Sequence, residues 1–202
     1  MKLLLFSDIH NDFARLRELM TVEADYYLAA GDTVTWERGY DQAGELLHAR
    51  GDRVLMLPGN HETAPRMAAL CRKFGLRDFH ERSFELAGFQ VAGLGYSSPT
   101  PFSTPGEYSE PEMARRLEPF AALHPLILIC HSPPKGTALD RVKAGVHAGS
   151  QAVADFIAKN QPRLFFCGHI HEAEGVEERI GSTVARNVGK KGYLLDFDKL
   201  EL

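Results

Sequence analysis

Residues that commonly bind metal ions follow five apolar runs of this sequence, at the point where each run ends. The five polar segments are Asp8-Ile9-His10, Gly31-Asp32, Gly59-Asn60-His61-Glu62, His131 and Gly168-His169-Ile170-His171. Carboxylate oxygens and imidazole nitrogens without thiolates suit Mn, Fe, Zn, Co or Ni better than Ca or Mg alone. The sequence therefore predicts a site for divalent transition-metal ions.

The spacing within two of these segments predicts which side chains converge. In an extended segment, side chains two residues apart point to the same side. We therefore expect Asp8 and His10 to address one metal, and His169 and His171 to share a face.

The other segments offer a bridge and a neutral ligand. Gly31 lets the backbone turn tightly and leaves the Asp32 carboxylate free to bridge two cations. Asn60 offers a carbonyl oxygen, whereas His61, one residue further along, should point differently and remain unligated.

The elements that must position these residues are five continuous apolar runs, which are typical of strands buried on both faces. The runs are Lys2–Phe6, Tyr26–Ala30, Val54–Leu57, Leu126–Cys130 and Leu164–Cys167. Helix-like stretches alternate with them, at Asp12–Met20, Gly39–Ala49, Pro65–Phe74, Glu110–Leu123 and Ser150–Asn160. This order predicts a central parallel sheet, beyond whose carboxyl ends ligands collect.

Two further sections predict a second sheet. Ser83–Leu94 contains two strands around Gly88, and Gly175–Asp198 is β-rich with turns at Gly181 and Gly192. The segment Tyr96–Glu110 is a long loop that could act as a flap over a site. Without a repeat, a linker or a low-complexity tract, residues 1–202 are expected to form a single domain.

Composition narrows the functional classes. The 202 residues are 44% hydrophobic, which is ordinary for a globular domain. The net charge of −4 disfavours nucleic acid as a partner but does not exclude it, because binding to a phosphate backbone usually requires an excess of basic residues. No apolar stretch approaches the roughly 20 residues that span a bilayer. The N-terminus lacks a signal-peptide pattern, so we expect a cytoplasmic protein without membrane association. Three cysteines without CxxC spacing are interpreted as packing residues.

The order and spacing of the five metal-ligand segments resemble the calcineurin-like metallophosphoesterase superfamily over nearly the whole chain, and later segments resemble its small prokaryotic single-domain branch. The resemblance implies an α/β (α+β) fold, a four-layer αββα sandwich of two mixed β-sheets flanked by helices. It implies two divalent transition-metal ions, Mn, Fe, Zn, Co or Ni, with Mn favoured. Their implied ligands are Asp8, His10 and His171 for one ion, Asn60, His131 and His169 for the other, and Asp32 for both.

Glu62 departs from the pattern, since that family position is often Asp. We expect the change to be tolerated in a supporting role.

The predicted reaction is two-metal hydrolysis of a phosphate ester. Cations roughly 3.5–4 Å apart lower the pKa of a bridging water, and the resulting hydroxide attacks phosphorus in line. His61, unligated and beside the metals, is the candidate general acid for the leaving alkoxide.

A short chain without a capping domain slightly favours a small phosphodiester as substrate. A phosphomonoesterase, a nuclease and a non-catalytic scaffold that retains the fold are the alternatives. The sequence does not fix the oligomeric state, for which a homodimer is one option.

Two further residues have two interpretations each, and a third has one. Asn11 either contacts the phosphate or caps the following helix, with capping favoured, and His147 either faces the substrate or serves a turn. His80, just before the first hairpin, is interpreted as a surface residue.

Overall fold

The computed structural model of the protein describes residues 1–143 and 145–200. In these ranges the strands are β1 (Lys2–Phe6), β2 (Tyr26–Ala30), β3 (Val54–Leu57), β4 (Arg77–Asp78), β5 (Arg82–Leu86), β6 (Phe89–Leu94), β7 (Leu126–Cys130), β8 (Arg141–Lys143), β9 (Val146–His147), β10 (Leu164–Cys167), β11 (Glu177–Ile180), β12 (Thr183–Asn187) and β13 (Tyr193–Asp196). The helices are α1 (Phe13–Leu19), α2 (Tyr40–His48), α3 (Ala64–Phe74), α4 (Glu110–Leu117) and α5 (Gln151–Asn160).

The strands form two large mixed sheets and a small hairpin. The first sheet has the order β13-β1-β2-β3-β4, in which only β13 runs antiparallel to its neighbour. The second has the order β11-β12-β10-β7-β6-β5, with parallel pairing in the centre and an antiparallel strand at each edge. β8 and β9 form the hairpin.

Alternation along β1 shows how the layers stack. Leu3 and Leu5 pack into the cluster between the two sheets, whereas Leu4 and Phe6 pack into a cluster that includes residues of α1, α2 and α3. The second sheet repeats this arrangement, since Ile127 and Ile129 face the first sheet and Leu128 packs with residues of α4 and α5. Both sheets are thus buried on two faces, and the fold is an αββα sandwich, as predicted.

The five predicted strands are confirmed at the predicted bounds, but they do not share one sheet. β1, β2 and β3 belong to the first sheet, while β7 and β10 form the centre of the second. Hydrophobic continuity shows that a strand is buried on both faces, but it does not show which sheet buries it. The carboxyl ends of all five strands still meet, because the two sheets stack with these ends at the same edge.

The fourth predicted helix is shorter than expected. α4 ends at Leu117, and residues Glu118–Ala122 form a 3₁₀ turn that contains Pro119. Proline lacks the N–H that an α-helix needs and its ring clashes with the preceding turn, which accounts for the change. In the described residues, no helix has the length and apolar character needed to cross a membrane.

Candidate metal centre

Seven of the predicted residues meet where the five strands end. Among the described residues, three groups of His and Asp side chains place one ligand atom each within 4.8 Å of the others. The groups are Asp8, His10 and His171; His10, Asp32 and His61; and Asp32, His131 and His169. The eighth side chain, Asn60, contacts the third group directly.

The first of two halves of this cluster, here called the Asp8 half, contains Asp8, His10 and His171. The Nε2 atoms of His10 and His171 lie 3.1 Å apart, and Asp8 Oδ1 lies 3.6 Å from His171 Nε2. The other ring nitrogen of His10, Nδ1, contacts the Thr35 hydroxyl at 3.2 Å. Nε2 of His10 is thereby directed toward the centre of the cluster.

The second half, here called the Asn60 half, contains Asn60, His131 and His169. Asn60 Oδ1 lies 3.1 Å from His131 Nε2 and 2.9 Å from His169 Nδ1. In its neutral form, His131 donates through Nδ1 to the Ala30 carbonyl at 2.9 Å, and the lone pair then lies on Nε2. The Asn60 amide donates through Nδ2 to Thr104 Oγ1 at 3.2 Å, so that its oxygen faces the two imidazoles.

Asp32 joins the two halves. Its Oδ2 lies 3.5 Å from His10 Nε2 and 3.4 Å from His131 Nε2. Its Oδ1 accepts the backbone N–H of His61 at 2.9 Å, which fixes the carboxylate plane. One oxygen therefore lies between ligand atoms of both halves.

The donor set fits divalent cations. Asp8 and Asp32 are 6% and 2% exposed, and no Lys or Arg of the described chain forms an ion pair with either. Buried carboxylates without a cationic partner are costly, and imidazole nitrogens aimed at one point leave lone pairs without donors. Cations at the two halves would satisfy both requirements.

The charges of the cluster are strongly coupled. Burial lowers the pKa of His131, but the Asp32 carboxylate outweighs burial and raises it to about 9. Burial and the His131 charge lower the pKa of His169 to about 4. A protonated His131 beside Asp32 thus provides the positive charge that a metal ion would replace, since a ligating imidazole must be neutral.

Comparison with known proteins identifies the family. A profile of the calcineurin-like phosphoesterase family matches residues 1–173. The chain belongs to this family. The family is one of metal-dependent phosphoesterases.

Relatives of this calcineurin-like phosphoesterase cover nearly all of its length. The uncharacterized protein MJ1162 of Methanocaldococcus jannaschii is 28% identical over 201 residues, which cover 96% of this chain and 91% of MJ1162. The crystal structure of TT1561 of Thermus thermophilus superposes with a TM-score of 0.70 at 18% identity, covering 97% of this chain and 98% of TT1561. The crystal structure of the phosphopantetheinyl hydrolase of Mycobacterium tuberculosis superposes with a TM-score of 0.65 at 16% identity, covering 93% of this chain and 88% of the hydrolase. These structures share the fold.

The backbone of the phosphoesterase site differs from the extended geometry expected from sequence. Asp8, His10, Asp32 and His169 have φ angles of 56°, 45°, 52° and 68°. Left-handed backbone at non-glycine residues costs about 1–3 kcal/mol each and concentrates at functional sites. His169 and His171 accordingly point into different halves, so the expectation that they share a face is wrong.

Two glycines make room for the carboxylates. A Cβ on Gly59 would collide with Asp32 Oδ1, and one on Gly168 would collide with Ser7 Oγ and Asp8 Oδ2. The backbone of each strand end must approach a carboxylate from the facing segment, which only glycine permits.

Glu62 supports the site from behind. It is fully buried, and its carboxylate accepts the backbone N–H groups of Asp32 at 3.0 Å, Val34 at 2.9 Å and Gly59 at 2.8 Å. Burial and the Asp32 charge raise the pKa of Glu62 to about 8. Glu62 therefore ties the segment that carries Asp32 to the segment that carries Asn60.

His61 lies at the edge of the cluster. Its ring makes an edge contact with His10, at a centroid distance of 4.9 Å, and another with Trp36 at 5.2 Å. Its Nδ1 accepts the backbone N–H of Trp36 at 3.4 Å. In the neutral ring this places the remaining proton on Nε2.

Asn11 and His147 lie outside the cluster. Asn11 lies against Gly39, and its Oδ1 is buried without a hydrogen-bond partner. The N-cap of α1 is Asp12, which accepts from Arg15 N, so the capping interpretation of Asn11 is wrong. His147 Nδ1 contacts Asp140 Oδ1 at 2.6 Å. Contact of either residue with the substrate stays a prediction.

The residues that sequence reasoning missed all hold the ligands in place. Thr35 and Thr104 contact His10 and Asn60, and the Ala30 carbonyl holds His131. Thr104 belongs to the predicted loop at 96–110, 44 positions from Asn60, and no local pattern connects the two.

Proposed function

We propose that this protein is a two-metal phosphoesterase in which Asp32 bridges the ions and His61 is the general acid. The metals are two divalent transition-metal ions, with Mn favoured, held by Asp8, His10 and His171 in one half and by Asn60, His131 and His169 in the other. When bound, such ions activate water and neutralise phosphoryl oxygens.

One observation carries this proposal. Asp32 Oδ2 lies 3.5 Å from His10 Nε2 and 3.4 Å from His131 Nε2, so one carboxylate oxygen separates two sets of convergent lone pairs. A single-metal site would need only one set. Every ligand position is filled, which favours an enzyme over a scaffold that keeps only the fold.

The chain's own residues supply the proton for the leaving group. With Nδ1 occupied by the Trp36 N–H, the His61 ring presents an N–H at Nε2. An imidazole beside the reacting ester can give this proton to the departing alkoxide, which is otherwise a poor leaving group.

The charge around the site favours a phosphodiester. The cavity that contacts both halves of the cluster is lined by Glu172 and, among the described residues, by no Lys or Arg, whereas Lys190 lines a separate cavity beside the Asp8 half. A phosphomonoester dianion carries one more negative charge than a diester, and a nucleic acid carries many. Without cationic side chains in the lining, the singly charged small diester is the better match.

The test is a metal-reconstitution assay. The metal-free protein is titrated with Mn²⁺, and hydrolysis of bis(4-nitrophenyl) phosphate is compared with that of 4-nitrophenyl phosphate. We expect about two equivalents of metal and higher kcat/KM for the diester. Asp32→Asn should lower metal content and reduce kcat/KM about a thousandfold, because several kcal/mol of charge stabilisation are lost.

The matched control is Asp155→Asn, an exposed aspartate on α5. It should bind metal and hydrolyse the diester as the wild type does. Metal binding without turnover of either ester would favour the scaffold, and a stoichiometry of one equivalent would rule out the bridging role of Asp32.

A further inference from the structure

A cavity of about 470 Å³ opens directly in front of the metal cluster. One wall consists of cluster residues, among them His10, Asp32, Asn60 and His61. Six apolar residues of the lining are here together called the apolar wall: Pro99, Pro101, Phe102, Val142, Val146 and Ile170. Cavities of this size typically hold small-molecule ligands.

The apolar wall offers almost nothing to a polar group. Thr100 carries the one hydroxyl among the described residues of the lining, and it already donates to Glu107 Oε1 at 2.6 Å. Among the described residues of this lining, Glu172 is the one carboxylate outside the cluster, and it repels a second anion. A sugar or a polyphosphate would leave its polar groups unpaired here, which costs binding free energy.

The apolar side chains at the mouth of the cavity are exposed in the absence of a ligand. Phe102 is 73% exposed and Val146 is 49% exposed. Phe102 and Val146 line the same cavity, and a contiguous exposed apolar patch beside a polar site is typical of a ligand-binding surface, because burial of apolar area is favourable.

Both segments that carry the apolar wall are anchored. Glu107 Oε1 accepts the backbone N–H of Thr104 at 2.8 Å in addition to the Thr100 hydroxyl, which fixes the loop around Phe102. Asp140 accepts the Gly149 N–H at 2.9 Å and contacts His147, which fixes the hairpin that carries Val142 and Val146. The wall is therefore a built surface.

We propose that the substrate is a phosphate ester whose organic group is apolar, and that Phe102 and Val146 bind this group while the phosphate lies at the metal cluster. The inference rests on the proposed function and names the substrate class. It assigns specificity to two loops that contribute no metal ligand.

The proposal is tested with phosphonates that carry one organic group. Their P–C bond is not hydrolysed, so binding can be measured without turnover. Dissociation constants of methylphosphonate, 2-hydroxyethylphosphonate and phenylphosphonate for the metal-loaded protein are measured by calorimetry. We expect phenylphosphonate to bind about tenfold more tightly than the other two. Phe102→Ser and Val146→Ser should each remove most of this difference and leave methylphosphonate within about twofold of the wild type.

Leu194→Ser is the control, since Leu194 is 39% exposed on β13 and lies outside the lining. It should leave all three constants unchanged. Equal binding of the three phosphonates, or a preference for phenylphosphonate that survives both wall variants, would overturn the inference.

The two proposals fail in different ways. If methylphosphonate binds and esters are hydrolysed, but phenylphosphonate binds no more tightly than methylphosphonate, only the proposed role of the apolar wall is refuted. If no phosphonate binds and no ester is hydrolysed, the proposed function fails and this inference fails with it.

Discussion

The two halves of the metal cluster use similar ligands in different surroundings. In the Asn60 half, His131 is fully buried and Asn60 is 4% exposed. In the Asp8 half, the side chains of His10 and His171 are 20% and 60% exposed. His131 and Asn60 thus lie deeper in the sandwich than the two histidines of the Asp8 half, which reach toward solvent.

The difference extends to the groups that hold the ligands. His131 donates to the Ala30 carbonyl, and the Asn60 amide donates to Thr104. His171 lies in a short 3₁₀ turn, and its imidazole contacts are with Asp8 and His10, members of its own half. A preorganised, dehydrated set of ligands binds a cation more tightly than a set that must be ordered. We therefore expect a tight site in the Asn60 half and an exchangeable one in the Asp8 half.

The largest effect is expected from two single variants, each of which removes one histidine from one half. His131→Ala should lower the free energy of unfolding of the metal-free protein by about 3 kcal/mol, because the buried Asp32 carboxylate loses its charged partner. His171→Ala should change it by less than about 0.5 kcal/mol, since its side chain is largely exposed. Urea unfolding of the metal-free proteins measures both.

Metal content separates the same two variants. His171→Ala should retain about one equivalent of metal after brief treatment with a chelator, and His131→Ala should retain less. Equal retention would show that burial does not distinguish the halves.

A second test spares both halves and removes only the proposed acid. His61→Ala should retain both metals but lose about 10²- to 10⁴-fold in kcat, the range typical of general acid catalysis. The loss should shrink for esters with good leaving groups such as 4-nitrophenolate, which need little protonation. An unchanged kcat on poor leaving groups, or loss of one metal, would contradict the role of His61.

The fold was largely predictable because its signals are local. Each of the five buried strands is a continuous apolar run, and Ser150 caps α5 by accepting from Val153 N, as its position suggests. The division of the strands between two sheets was not predictable from the runs themselves. Leu128 and Leu28 occupy similar runs, and only tertiary packing places them in different sheets.

The candidate site, too, was predictable only in part. The ligand types at strand ends were visible in the sequence, but their backbone conformation was not, because left-handed Asp8 is stable only when surrounding contacts enforce it. His80, predicted to be on the surface, has an 8% exposed side chain that accepts from Gly95 N and contacts the Tyr108 hydroxyl. These partners lie 15 and 28 residues away, beyond any local pattern.

The smallest effects should come from the two threonines behind the ligands, and they sharpen the comparison most directly. Thr104→Val removes the acceptor of the Asn60 amide, which frees that amide to rotate and should weaken the tight metal-binding step about tenfold. Thr35→Val removes the partner of His10 Nδ1 and should weaken the second step instead, by a similar or smaller factor. Valine has nearly the shape of threonine, so packing is preserved and each variant serves as the control for the other in a two-step calorimetric titration. If both variants weaken the same step, the halves are not independent sites, and the ligands of both must be ordered together around Asp32.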